Sequence, residues 1–448
     1  MTTTAPPTRA AYRDLNVLRW TTGLFLSLLG DQVFFIALAW TATQVATPSV
    51  AGLVVAAGAV PRAALMLFGG ALADRAGPRR TALLSDAART AVMLVVAAVL
   101  LLEPPSAAVL IALAVAFGTI DAVFIPAVGA MPAALVEPTE LSRVTAMRQA
   151  VHRATTIAGA PLAGWLIAAS SLSVVYLVCA GLFAVSVAAL AATRTRPPAP
   201  PPPPAPTSAP ASGAAPADAG TDQPPTAGGA PDQAPPATRS PARGLLVDVT
   251  AGLRYVRGHT LLLPLLVLTA VAELGFVGAV NVGLPLLADA SGWGPQGVGW
   301  VLGAWGAAAA LASVVLTLTG SPQRAGLVGI ACLPLMGVSL AAIALAPSLS
   351  TAAAAAALLG LGSGIISPVF GGLALAAADA HQVGRVMSVL SLASFGGAPL
   401  AHAATGVLVD LTDATAPFLL GGAVVTVTGL VAFAVRPVRT ARPDGSTA

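Results

Sequence analysis

The chain predicts an all-α polytopic membrane protein with 12 transmembrane helices in two pseudo-symmetric six-helix bundles. Three observations carry that expectation. Of 448 residues, 56% are apolar and only 9% charged, against roughly a quarter charged in a soluble domain. The apolar residues gather in runs near the ~20 that a helix needs to cross a hydrocarbon core about 30 Å thick. All 22 basic side chains are arginines, and most sit in alternate gaps between those runs, as in a chain that keeps cations on its cytoplasmic side.

In order, Arg9, Arg13 and Arg19 mark the N-terminal tail and the start of the first run, 16–42, and the gap 44–49 after it has no arginine. The run 50–73 leads to Arg75, Arg79 and Arg80, whereas 82–102 ends near Glu103 with none. The run 106–132 leads to Arg143, Arg148 and Arg153; 149–170 ends near Ser170 with none, and 173–193 closes the first half. Past Arg243, Arg254 and Arg257 come 260–288, ending near Asp289 without arginine, and 296–319, followed by Arg324. The run 325–347 ends at an arginine-free Pro347, and 350–377 leads to Arg385. The last two, 384–409 and 415–436, flank the arginine-free stretch at Asp413 and deliver Arg436, Arg439 and Arg442. Twelve crossings place both termini in the cytoplasm, and the expected location is the inner (plasma) membrane. The run after Arg19 is longer than the ~7–15 residues of a signal core, so no cleaved signal is expected.

The composition changes abruptly between the halves. Residues 197–237 are almost wholly Pro, Ala, Gly, Thr, Ser, Asp and Gln, with Pro198 to Pro204 nearly all proline. Such a stretch cannot bury enough apolar surface to offset chain entropy, so a disordered, partly polyproline-II tether is expected. The expected domains are therefore a bundle at 1–193, a cytoplasmic linker at 194–244 and a second bundle with a short tail at 245–448.

The halves read as copies. A shift of 242 residues places Asp31 on Glu273, Phe34 on Phe276, Pro126 on Pro368, and the Arg-Val pair at Arg143 on that at Arg385. Gly-Ala-Pro-Leu-Ala begins at Gly159 and again at Gly397, in the fifth helix of each half. Repeats of membrane helices mark transporters that rock one half against the other around a central site.

Between the second and third runs lies Gly70-Ala-Leu-Ala-Asp74-Arg75-Ala-Gly77-Pro78-Arg79-Arg80. This string resembles the loop of the major facilitator superfamily, Gly-x-Leu-Ala-Asp-Arg-x-Gly-Arg-Lys, departing from it at Pro78. The resemblance implies a cytoplasmic gate, with Asp86 and Arg89 of the third helix beside it. A carboxylate at a helix end can pair with arginine or a neighbouring helix N-terminus. The bland alternative is a charged anchor with an ordinary turn. Further likeness, to the bacterial macrolide and siderophore exporters, comes from Gly30-Asp31, Ala39-Trp40, Pro61-Arg62, Asp86 with Arg89, Asp121 to Pro126 and Gly252-Leu-Arg-Tyr255. Gly159, Pro161 and Gly164 resemble the fifth-helix element of antiporters and are expected to act as a hinge; Ala160 and Trp165 stand where that element has glycine.

Charges inside a membrane are costly and point to function. Asp31, Arg62, Asp121 and Glu273 each lie about 18–22 Å along their helices from the cytoplasmic end, at ~1.5 Å per residue. One shared polar cavity between the halves is expected, in which Arg62 neutralises Asp31 or Asp121 and another carboxylate takes up a proton outside and releases it inside. The alternative is a set of ion pairs that fix helix packing. Arg89 is expected to be structural. His402 is either a cavity residue or a hydrogen-bonded packing histidine, and Phe34, Phe124, Phe276, Trp305 and Phe395 either stack on a substrate or pack.

Enzyme chemistry has no footing. The chain contains no lysine, which excludes a Walker A loop and a lysine Schiff base. Four scattered histidines offer no metal spacing, and Cys179 and Cys332 are expected to pack as small apolar residues. The expectation is a monomeric secondary transporter that needs no cofactor, binds no nucleic acid or metal, and exports amphipathic small molecules in exchange for protons. The alternatives are an importer or facilitator, and a non-transporting receptor or scaffold that signals through the linker.

Overall fold

The computed structural model describes residues 14–195, 252–379 and 382–443, with the backbone alone for 66–74 and 388. The first half comprises α1 (Leu15–Val45), α2 (Pro48–Ala76), α3 (Pro78–Leu102), α4 (Ala107–Leu135), α5 (Leu141–Ala169) and α6 (Leu172–Ala192). The second comprises α7 (Leu262–Ala290), α8 (Gly294–Thr319), α9 (Ala325–Ala344), α10 (Leu349–Ala377), α11 (Val383–Leu411) and α12 (Ala416–Ala432). The linker expected over 194–244 lies outside the described residues from 196 onward, as does the start of the second expected domain up to 251.

Among the described residues, ten helices are long and apolar enough to cross a membrane. Of the twelve expected crossings, α5 and α12 fall short of that standard. The first half of α5 carries Arg143, Arg148, His152 and Arg153, and α12 has only 17 residues. The expected start of α5, at 149, is also too late: the helix begins at Leu141, because those arginines project beyond the apolar stretch without interrupting the backbone. Large apolar side chains on the outside, such as Leu101, Trp165, Trp300, Leu318 and Leu411, are more than half exposed. A belt of this kind belongs against lipid.

Local chemistry sets the ends. Asp14 caps α1 by accepting from the Asn16 amide at 2.7 Å, and Ser348 forms a reciprocal capping box with Thr351 at the start of α10. Between α2 and α3 the chain reverses at Gly77, whose φ of +85° is open to glycine and strained for other residues. Pro78 then occupies the first turn of α3, where a missing N–H costs nothing.

Packing differs between the two ends of the bundle. At the end away from the chain termini, a single apolar core runs through both halves, from Val33, Phe117 and Tyr176 to Leu287, Leu340 and Phe418. At the other end the core divides. Trp20, Met131 and Leu190 cluster within the first half, while Leu265, Phe370 and Val438 cluster within the second.

Two seams join the halves, α2 against α11 and α5 against α8. A Cβ on Gly164 would stand 2.6 Å from the Pro295 carbonyl oxygen, so α5 and α8 touch there only because the side chain is absent. Hydrogen bonds from Gln44 to Asp289 (2.9 Å) and from the Ser49 amide to Asp410 (2.9 Å) tie the same end shut.

Candidate functional site

Four charged residues occupy the centre of the first half, each within one residue of the midpoint of its helix: Asp31 on α1, Arg62 on α2, Arg89 on α3 and Asp121 on α4. Arg89 is wholly buried. Its guanidinium bonds Asp121, lies 3.2 Å from Asp86 and 3.4 Å from Asp31. Its charge also rests over the Phe124 ring at 3.8 Å, with Phe117 and Phe183 at 5.1 and 5.6 Å. Delocalised charge and a flat face suit arginine to a box walled by both carboxylates and aromatic rings.

The three carboxylates are held unequally. Asp121 is shared between Arg89 and Arg62, the latter at 2.6 Å. Asp86 accepts from Ser27 at 2.9 Å and Ser186 at 2.6 Å as well as from Arg89. Asp31 has only the longer contact to Arg89, and its side chain is 12% exposed against 0% for Asp86 and 1% for Asp121. It also lines a cavity of about 360 Å³ with Arg62, Phe35, His152, Asn281 and His402. With all groups ionised, three carboxylates against two guanidinium groups leave one negative charge, and the loosest carboxylate is the one that meets the cavity.

Asp86 and Arg89 thus belong to this cluster and not to the helix-end motif with which the sequence grouped them. The third apolar run was read from residue 82, but α3 begins at Pro78. Eleven residues at ~1.5 Å each put Arg89 about 16 Å along the helix, at mid-depth.

Glu273 stands apart from the other carboxylates, in a second cavity of about 620 Å³. His152, Thr156, Phe276 and Trp305 line both cavities, so the two compartments meet at that neck. One shared chamber was expected; instead Asp31 and Arg62 line one compartment, Glu273 lines the other, and Asp121 is sealed behind Arg62 and Arg89. The second half adds a residue that the charge count missed. Ala279–Gly283 of α7 widens into a π-helical turn, a feature frequent at functional sites. It carries Asn281, 3.2 Å from the buried His402 ring. An asparagine in an apolar run was the only available signal. Phe34 is buried against Phe117, whereas Phe395 is 58% exposed.

The side chains of Gly70 and Asp74 lie outside the described residues. Arg75 and Arg80 are exposed. Arg79 donates to the carbonyls of Leu190 (3.0 Å) and Ala191 (2.6 Å), and Arg19 to that of Ala192 (3.2 Å). Both arginines cap the C-terminus of α6, where the helix dipole favours cations. α5 runs unbroken through Pro161. Gly159 packs on Gln32 of α1, and Pro161 and Gly164 on the Gly299–Gly303 face of α8. Pro161 and Gly164 therefore lie in a seam between the halves, whereas Gly159 packs within the first half. Cys179 and Cys332 are free and buried.

A bilobed helical bundle, fused at one end and carrying charge at mid-membrane, defines a polytopic membrane transporter. The family model of the Major Facilitator Superfamily matches residues 20–320 and 266–448, and the chain belongs to that superfamily. It is a transporter, not an enzyme, that handles small molecules in a lipid bilayer. The fold is similar to that of a mutant of the nucleoside transporter NupG, with TM-score 0.67 and 12% identity over 94% of this chain and 100% of that one. It is also similar to a D-xylose–proton symporter, with TM-score 0.63 and 12% identity over 97% and 98%. No curated protein sequence matches the chain.

Proposed function

We propose that the protein is a proton-coupled exporter of amphipathic small molecules, acting by alternating access as a monomer in the inner membrane with both termini cytoplasmic. The observation that carries this is the unequal hold on the three carboxylates. Asp31 is the member of a net-negative cluster that meets the cavity, so it is the group that exchanges a proton. Protonated, the cluster is neutral and tolerates dehydration, which lets the halves close over it. Deprotonated, it carries a charge that a dry interior penalises by several kcal/mol, which holds the cavity open to water.

By the arginine bias, the fused end is external and the divided end cytoplasmic, so the conformation is inward-facing. Substrate enters the cavity from that side once Asp31 has released its proton. The proton gradient supplies the energy, and no cofactor takes part. The gate motif around Gly70, Asp74 and Arg75 would close the cytoplasmic mouth as the seams at α2–α11 and α5–α8 part. The export direction and an amphipathic substrate rest on the exporter likeness of Gly30-Asp31, Pro61-Arg62 and Asp121 to Pro126.

Proteoliposomes test the coupling. An imposed pH gradient should drive uphill movement of a dye such as ethidium, and Asp31→Asn should abolish it while the protein stays monodisperse. Full gradient-driven transport by that variant would remove Asp31 from the scheme. Direction is read in intact cells: expression should lower ethidium accumulation until an uncoupler is added. Import is the second reading, favoured by the nucleoside transporter and the sugar–proton symporter among similar folds. Raised accumulation would establish it.

A further inference from the structure

Glu273, half-buried, differs from the carboxylates buried at mid-membrane in the first half. It makes no ion pair or hydrogen bond with any described residue, yet it lies within three residues of the midpoint of α7 and lines the larger cavity. Three positions along the same helix, Phe276 lies 5.8 Å from Trp305 with their rings inclined at 44°. The indole N–H of Trp305 is committed to the Ser363 hydroxyl at 3.0 Å. That bond fixes the ring and leaves its π surface, not its donor, for the cavity.

We propose that this compartment binds an organic cation, with Glu273 as the counter-ion and Phe276 and Trp305 as an aromatic wall. The proposal rests on the transport reading and names the substrate class for it. A carboxylate in a largely apolar chamber needs a compensating positive charge or water. A cationic head close to Glu273 supplies that charge, and the ring faces beside it add cation–π attraction. The cavity, about 620 Å³, falls within the ~300–1,000 Å³ of sites for drug-sized ligands. Across the neck, the Asp31 cluster adds a net negative charge to the local field. The opposing cation in this compartment is Arg153 on α5, with the His152 imidazole beside it, both exposed. Both are more exposed than Glu273. An anionic or zwitterionic ligand would instead depend on Arg153.

The test is equilibrium binding of tetraphenylphosphonium to the purified full-length protein in detergent, by calorimetry and by tryptophan quenching. This probe is permanently charged and aromatic, and neutral triphenylphosphine oxide is its comparator. Glu273→Gln should weaken the cation at least tenfold and leave the neutral molecule unchanged. Glu273→Asp should retain most of the cation affinity, and Arg153→Ala should leave it equal or raise it. Absence of cation binding by the wild type, equal affinity in Glu273→Gln, or an equal loss in Arg153→Ala would each overturn the proposal. Asp31→Asn separates the two readings, because that variant should still bind the cation while losing gradient-driven transport.

Discussion

In the first half, three carboxylates and two guanidinium groups pack among phenylalanines where α1 to α4 meet; at the matching depth the second half holds Glu273 alone among its described residues, with Asn281 and His402 about 12 Å further along α7. The repeat shows how the halves parted. The offset of 242 that pairs Asp31 with Glu273 pairs Arg62, Asp86, Arg89 and Asp121 with Ala304, Val328, Ala331 and Ser363. One carboxylate was kept in both halves, but its partners exist only in the first. A duplicated scaffold has thus become one half that stores buried charge and one that presents a solitary charge to a cavity. The proposed division of labour, with the proton in the first half and substrate charge in the second, follows from that asymmetry.

Removing the centre of the first half gives the largest expected effect. Arg89→Leu would leave three carboxylates facing one remaining arginine, and stranding a buried charge costs about 3–5 kcal/mol. The variant should lose most of its thermal stability in detergent. Arg89→Lys should recover only part of it, since an ammonium cannot span the carboxylates or lie flat on Phe124. Glu273→Gln removes no partner and relieves a solitary charge, so its melting temperature should equal or exceed that of the wild type. Comparable melting temperatures for Arg89→Leu and Glu273→Gln would erase the contrast between the halves.

A second contrast runs along the molecule, between the fused end and the divided one. Gly164→Val would press a side chain onto the Pro295 carbonyl and Gly299, and overpacking of this kind costs about 1–3 kcal/mol. The strain falls on the closed arrangement and should bias the protein toward opening at the arginine-poor end. A cysteine placed at Val280, which lines the smaller cavity, should then react faster with an impermeant maleimide applied from that end. An unchanged rate would mean that the α5–α8 seam does not set which end is open.

Much of this was legible in the chain. Run lengths and arginine spacing are direct consequences of bilayer thickness and charge cost, so the helices and the two-fold plan could be read one residue at a time. The depth of Asp31, Arg62 and Asp121 was legible for the same reason. Arg89 was misplaced because polar residues at 78–81 hid the true start of α3, and a four-residue error moves a side chain about 6 Å. The division of the chamber, the π-helical turn at Asn281 and the solitude of Glu273 depend on rotation about helix axes and on packing between distant helices. Apolar runs carry little of that information, since nearly every position in them is hydrophobic.

The smallest expected effect compares the last helices of the two halves. At the start of α6 the cap residue Ser171 makes no side-chain bond to the helix. Before α12, the Asp413 carboxylate accepts from the Thr415 amide (2.7 Å), the Thr415 hydroxyl (2.5 Å) and the Ala416 amide (3.2 Å). These bonds, those of Thr415 first, hold the Asp413 carboxyl below the usual aspartate range. A depressed carboxyl stabilises the folded cap above its unfolded value of about 3.9 and loses that contribution as the pH falls through the lower folded value. Hydrogen exchange should therefore show the Thr415 and Ala416 amides protected at neutral pH and released only in strong acid, whereas the start of α6, which has no such bond, shows no acid step. Asp413→Asn should release the same two amides partially at every pH and abolish the acid step. A step that survives in this variant would assign the titration to another group and leave the two helix starts equivalent.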